Sequence, residues 1–307
     1  MCQFKSAIIL KDRVFIPDYD SHSDMLKELG IADTKENAER LFIRAELIPI
    51  GNDVFSDIST WKFNVDQDIL PDWYVEEYDK QRMIEAVKEW AKDRIHIGKE
   101  NFVISDGAGH YIKDCTDVKI HGSAQVGEIC GDTIVNSIDG YSNTRIICGN
   151  ATVDSICGNA TVDYICGNAT VDSICGNATV DYIYVNATVN RIYGNATVDS
   201  IYGSATVDSI YDSARVNNIY GSATVDSICD SATVDSIYGS ATVDSIYDSA
   251  TVDSIYGSAT VITSRLLKWR NLNKAKLQDD ATIKDRYAKT IYQAGDWQLK
   301  PVGESQG

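Results

Sequence analysis

Residues 121–264 repeat a nine-residue phrase sixteen times, from HGSAQVGEI at 121 and CGDTIVNSI at 130, through CGNATVDSI at 148, to YGSATVITS ending at Ser264. No other feature of the chain restricts its fold as strongly. Self-similarity at so short a period marks a solenoid, in which each unit buries its apolar face only against the units before and after it.

Inside the unit Gly203–Tyr211, the alternation Ala205, Thr206, Val207, Asp208 sends Ala and Val to one side and Thr and Asp to the other. Ile210 also belongs inside, yet it stands three residues beyond Val207, which a period of two cannot bridge. The chain must bend at Asp208-Ser209 and again at Gly203-Ser204, where Asp, Ser and Gly make bends cheap. Each unit is expected to form two short strands and two corners. Nine residues close too small a ring to hold Ala, Val and Ile, so two units are expected to make one coil of eighteen. Alternation at every second unit points the same way: Ser155, Tyr164, Ser173, Tyr182, and again Gly203, Asp212, Gly221, Asp230, Gly239, Asp248, Gly257. One half-coil then carries Tyr164 and Tyr182 and, further on, Asp212, Asp230 and Asp248, while the other carries Ser and Gly. The fold class is mainly β: a parallel, right-handed β-solenoid of eight coils, roughly 38 Å long at about 4.8 Å per coil, behind a small N-terminal α+β domain.

Three segments follow: 1–98, the α+β domain; 99–264, the solenoid; and 265–307, a C-terminal cap. In the first, FKSAIIL and RVFI read as a hairpin turning at Lys11-Asp12, SHSDMLKELG as a short helix ending at Gly30, and LFIRAEL and TWKFNV as further strands. In EEYDKQRMIEAVKEWAKDRI, Met83, Ile84, Val87, Trp90, Ala91 and Arg94 form one stripe of a helix ending before Gly98. Residues 101–120 read as an irregular first coil or cap. Residues 278–297 echo the motif at Asp280-Ala-Thr-Ile and then leave it. Between the last repeat and that echo, SRLLKWRNLNKAKLQ breaks the pattern with Arg265, Lys268, Arg270, Lys274 and Lys276, a basic excursion or short helix.

FKSAIILKDRVFIPDYDSHSDML, WKFNVDQDILPDWYVEEYDKQRMIEAVKEW, the GNATV/GSATV series and IKDRYAKTIYQAGDW together resemble a family of nonapeptide-repeat (GNATVDSIY-type) β-solenoid proteins of gut bacteria and phages. The resemblance spans nearly the whole chain. It implies the solenoid and a phage setting, in which the protein interferes with a host defence or DNA-handling protein, but it assigns no activity and no functional residues. The stretch 264–278 departs from the family's direct passage between the last repeat and IKDRY, so the C-terminal cap is expected to be remodelled.

The chain of 307 residues has a net charge of −17, which argues against a surface that coats nucleic acid and for a basic partner. Residues 121–264 hold sixteen acidic side chains against Arg145, Arg191 and Arg215. The MCQFKSAIILKDR opening is too short in apolar residues for a signal peptide, and no run approaches the roughly 20 residues of a membrane span. A cytoplasmic protein is expected. Of eight cysteines, six (Cys130, Cys148, Cys157, Cys166, Cys175, Cys229) share a slot that Tyr fills elsewhere. A metal ligand does not exchange with a phenol unit by unit, so these read as free thiols filling space.

The leading expectation is a non-enzymatic binding protein whose acidic rod is a docking surface or nucleic-acid mimic for a basic host protein, with Asp163, Asp181, Asp199, Asp212, Asp230, Asp235, Asp248, Asp253, Tyr164 and Tyr182 as the interaction surface. No catalytic, cofactor or metal residue is assigned, and neither a nucleic acid nor a membrane is expected as partner. The alternatives are a self-assembling scaffold and a metal-dependent enzyme in residues 1–98 using Asp18, Asp20, His22 or Asp66 and Asp68. The run Asp18-Tyr-Asp20-Ser-His22-Ser-Asp24 has ligands at alternate positions but lacks the sixth-place Gly and twelfth-place Glu of a calcium loop, and reads as a turn capping a helix at 23. The repeat shares an Asp and an apolar residue with calcium-binding β-rolls but not their glycines. Its Thr column (Thr152, Thr161, Thr170 onward) resembles that of ice-binding solenoids, yet those carry paired columns, and Arg215 interrupts this one.

Overall fold

The computed structural model describes residues 5–263, 276–285 and 290–293. Cys2 and most of the basic stretch, with Arg265, Lys268, Arg270 and Lys274, lie outside the described residues. The chain divides into two compact units, one of residues 1–97 with 107–111 and one of 98–106 with 112–307. No helix among the described residues is long and apolar enough to cross a membrane.

The first unit is built on a four-stranded antiparallel sheet in the order β2-β1-β3-β4, with β1 Lys5–Leu10, β2 Val14–Phe15, β3 Phe42–Ile48 and β4 Lys62–Val65. The hairpin closes where expected, with Ile9 opposite Val14. Alternation along the strands gives the sheet two apolar faces. Ala7, Ile9, Ile43, Ala45 and Leu47 pack with Met83, Ile84 and Val87 of α3, Glu76–Ala91. Ile8 and Phe42 pack with Met25 and Leu26 of α1, His22–Glu28, and with Ala38 of α2, Lys35–Ala38. Helix α3 is shorter than its stripe: it stops at Ala91, and Ile95–Ile97 is a strand. Arg94, past the helix, donates to both carboxylate oxygens of Asp18 at 2.9 Å, and its own carbonyl accepts from the Tyr111 backbone. Helix α1 begins at His22 rather than 23, because Ser21 is the cap that accepts the Asp24 N–H.

The second unit is the parallel β-solenoid, about ten coils with a rise of one coil every 18 residues or so. Its strands alternate between a 12-stranded and an 11-stranded sheet. Each strand pairs with the one two units later, as Thr206↔Thr224, Val207↔Val225, Ser209↔Ser227 and Ile210↔Ile228. The corners are bonded as well as the strands, with Tyr220 donating to Ile201 O at 2.9 Å and Ser222 to Gly203 O at 2.8 Å. Inside, Ala205, Val207 and Ile210 and their counterparts form ladders that are fully buried. Each Val or Ile so placed is worth about 1.5–3 kcal/mol.

Two expectations are corrected. A unit is one five-residue strand, such as Thr206–Ile210, and one tight turn, rather than two strands and two corners. The pairing skips Asp208, and the strand is deflected there without breaking, which brings both Val207 and Ile210 inward. The stack also outruns eight coils. Glu100–Ile104 pairs in parallel with Thr116–Ile120, and Thr282–Asp285 pairs with Thr260–Thr263, with Ala281 and Ile283 joining the core. Phe102 faces Val118 and Thr260 faces Thr282, so the coil is short at one end and long at the other. Lys276 and Leu277 pair in parallel with Ser254 and Ile255, so the solenoid continues past residue 264. The strand Thr290–Gln293 then runs antiparallel to Thr282–Asp285 and covers the last edge of that sheet.

Candidate functional site

Stacking at eighteen residues turns each outward letter of the repeat into a column. The expected surface resolves into two of these rather than one. Asp163, Asp181, Asp199, Asp235 and Asp253 lie mid-strand in successive coils of the 11-stranded sheet, with Asn217 between Asp199 and Asp235. Tyr164 and Tyr182 stand beside the first two, their rings stacked at 5.4 Å. Asp212, Asp230 and Asp248 form a separate column on the turns, in the slot that Gly fills in other coils, with φ of 57°, 55° and 57°. There Asp212 accepts the Gly194 N–H at 3.3 Å and Asp230 accepts the Asp212 N–H at 3.4 Å. These corner aspartates are neighbours, as the eighteen-residue coil requires. The carboxylates of Asp212 and Asp230 are engaged with the backbone of the coil below.

The mid-strand carboxylates are in a different state. The Asp181 carboxyl is raised above its ordinary value by burial and by Asp163 and Asp199 on either side. A second column of Asp154, Asp172, Asp208, Asp226 and Asp244 runs along the 12-stranded sheet. In it burial, Asp208 and Asp244 raise Asp226 likewise. Each column is relieved at one place. Asn190 donates to Asp172 at 3.0 Å and Arg191 pairs with the same carboxylate, so together they lower the Asp172 carboxyl. In the first column Asn217 donates to Asp199 at 2.8 Å and Arg215 pairs with Asp235 at 2.6 Å.

The slot after Ile adds an aromatic stripe that sequence reading treated only as filler. Tyr184, Tyr202, Tyr220, Tyr238 and Tyr256 stack in near-parallel at 5.0, 4.9, 4.8 and 4.7 Å between ring centres. Tyr164 and Tyr182 meet Tyr184 and Tyr202 edge-on at 6.2 Å. The stripe follows the first acidic column: after burial, the field of Asp199 contributes to holding Tyr220 and Tyr238 above the ordinary phenol range. Within the same slot Cys148 and Cys166 are free thiols. A hydrogen bond to Cys148, then burial, pushes the Cys166 thiol up, and it stays protonated.

The Thr column also divides in two. Thr152, Thr170, Thr188, Thr206, Thr224, Thr242 and Thr260 run without a break along the 12-stranded sheet, and Arg215 interrupts only the shorter column of Thr161, Thr179, Thr197, Thr233 and Thr251. The residue two on from these Thr is Asp, or Asn190 after Thr188 and Ile262 after Thr260, and never a second Thr.

In the first unit the expected ligands part company. Asp18 is held by Arg94 and Asp20 by Lys5, the latter at 3.0 Å. Asp68 is exposed. His22 and Asp66, from different motifs, come within 3.4 Å of each other. No family model matches the chain, and neither do the curated proteins or the solved structures compared with it.

Proposed function

We propose that the solenoid is a non-catalytic docking rod for a basic macromolecule, with Asp163, Asp181, Asp199, Asp235 and Asp253 as its charged column and the tyrosine stripe as its aromatic flank. The observation that carries this reading is the Asp163–Asp181–Asp199 run, in which a carboxyl is raised by burial and by its own neighbours. A partner's Lys or Arg side chains relieve a repulsion that the chain itself leaves in place over this stretch. The apolar stems of Lys and Arg gain further by lying along the ring edges of the stripe. A regular line of negative charge also fits a protein cleft that otherwise holds a nucleic acid, so mimicry of that ligand is the same reading with a DNA-handling protein as partner. The antiparallel strand over the last coil weighs against an end-to-end filament.

The test is a capture from lysate on the whole chain at 50 and 500 mM salt, with the retained proteins then measured individually. Basic proteins whose affinity falls steeply between the two conditions are expected. Retained partners that are neutral or acidic, or an affinity unchanged by salt, would rule the reading out.

A further inference from the structure

The α1-facing side of the first unit's sheet brings together polar groups that its own chain leaves unserved. His22, the first residue of α1, is buried, and its Nε2 lies 3.2 Å from the Ala45 carbonyl. A carbonyl only accepts, so Nε2 carries a proton, which leaves Nδ1 as the ring atom that a metal ion would take. Nδ1 faces Asp66 Oδ2 at 3.4 Å. Asp66 follows β4 and is fixed by its N–H to Arg44 O at 2.9 Å. Glu46 of β3 completes the group: the ligand atoms of His22, Glu46 and Asp66 all lie within 4.8 Å of one another.

Two features distinguish this from a chance cluster of acids. Glu46 is only 6% exposed, and among the described residues its carboxylate has no hydrogen bond or ion pair. Ser6, directly opposite it on β1, is fully buried with a hydroxyl that has no partner. Neighbouring cations are taken: Arg44 pairs with Asp33, and Lys5 with Asp20 and the Pro17 carbonyl. Two carboxylates thus converge on one imidazole nitrogen, an arrangement that a bound cation would stabilise. Access is open, because Asp66 borders a cavity of 390 Å³ that His22, Asp33 and Arg44 also line.

We propose that His22, Glu46 and Asp66 form a site for a divalent transition metal of the Zn²⁺ and Mn²⁺ class. One imidazole with two carboxylates suits these ions better than Ca²⁺ or Mg²⁺, which take oxygen ligands. Two ligands at about 2.1 Å in a tetrahedral array stand about 3.4 Å apart, the separation found between His22 and Asp66. Three protein ligands beside an open cavity leave further positions for water or a small anion, as in reactive rather than purely structural sites.

Equilibrium dialysis of the full chain, stripped of metal, against Zn²⁺, Mn²⁺ and Ca²⁺ separately tests the site, with Glu46→Gln and Asp66→Asn run in parallel. Comparing stoichiometries separates this site from any metal taken up by the solenoid's thiols or acids. The expected result is one equivalent of Zn²⁺ and of Mn²⁺ bound by the wild type and lost, or weakened at least about tenfold, in both variants. Asp66 is largely exposed, so its Asn variant is expected to fold, and circular dichroism checks this. Identical stoichiometry and affinity in the wild type and the folded Asp66→Asn variant would overturn the assignment, as would preferential uptake of Ca²⁺ at this site.

Discussion

At Asp212, Asp230 and Asp248 the backbone stands in the left-handed region, and the coil below closes on the space where a side chain begins. At Gly221, in the equivalent slot of the other half-coil, an added Cβ would come within 2.9 Å of the Gly203 nitrogen. Aspartate is accommodated because it tolerates this φ and turns its carboxylate onto the N–H beneath. Asp230→Ala is therefore expected to cost about 1–2 kcal/mol in urea unfolding, while Asp230→Gly stays close to wild type; an Ala variant as stable as the Gly variant would contradict this. A second residue departs from the repeat's logic in the opposite direction. Thr144 sits in a Val slot between Val126 and Val162, fully buried, with a hydroxyl that finds no partner. Thr144→Val is expected to gain about 1 kcal/mol, and a loss of stability would show that the hydroxyl is served by something the fold does not reveal. The Gly/Asp alternation was legible from the letters alone. What the carboxylates bond to was not, since that depends on which N–H lies one coil below.

At the scale of the strand and coil, periodicity revealed which residues go inside but not whether the backbone stays continuous between them. Val207 and Ile210 three apart implied a bend, and the sheet absorbs that bend without ending the strand. Coil length is the property that most of the remaining geometry depends on, and deletion tests it. Removing residues 221–238, one whole coil, is expected to leave a cooperative fold with intact strand content. Removing 221–229 moves every later unit, including Lys276–Leu277 and Thr282–Asp285, to the opposite sheet, and is expected to lower Tm far more; equal effects would deny the two-unit coil. The acidic columns make a prediction about pH. Asp181 and Asp226 are raised in the fold above 3.8, so they bind protons more readily folded than unfolded, and their ionisation costs stability as pH rises past that value. A variant carrying Asp181→Asn and Asp226→Asn is expected to be more stable than wild type at pH 7. Each adjacent pair contributes about 0.9 kcal/mol before salt screening and less after it. The advantage should shrink as pH falls towards 3.8, and an advantage that grows in acid would contradict the columns. In the first unit, hairpin, strands and helices were readable, but Glu46 was not. It lies in FIRAELI, a stretch whose apolar letters announce a strand and say nothing of the one acid turned towards His22.

Across the whole molecule, a chain with a net charge of −17 carries most of that charge on a rod that fixes its spacing, because residues 121–264 set sixteen acids against three arginines. The fold was legible because one short phrase recurs and every recurrence obeys the same burial rule. The surface was legible only in part. Counting acids gave the sign of the surface charge, whereas the separation of mid-strand from corner aspartates, and the tyrosine stripe beside the former, required the stacked coils. That separation makes the docking proposal specific. Isothermal titration of an arginine-rich peptide should compare wild type with two triple variants of equal charge, Asp163, Asp181 and Asp199 all to Asn, and Asp212, Asp230 and Asp248 all to Asn. The account predicts that the mid-strand variant loses at least about tenfold in affinity, some 1.4 kcal/mol, and the corner variant far less. Equal losses in the two, or none in the first, would contradict it.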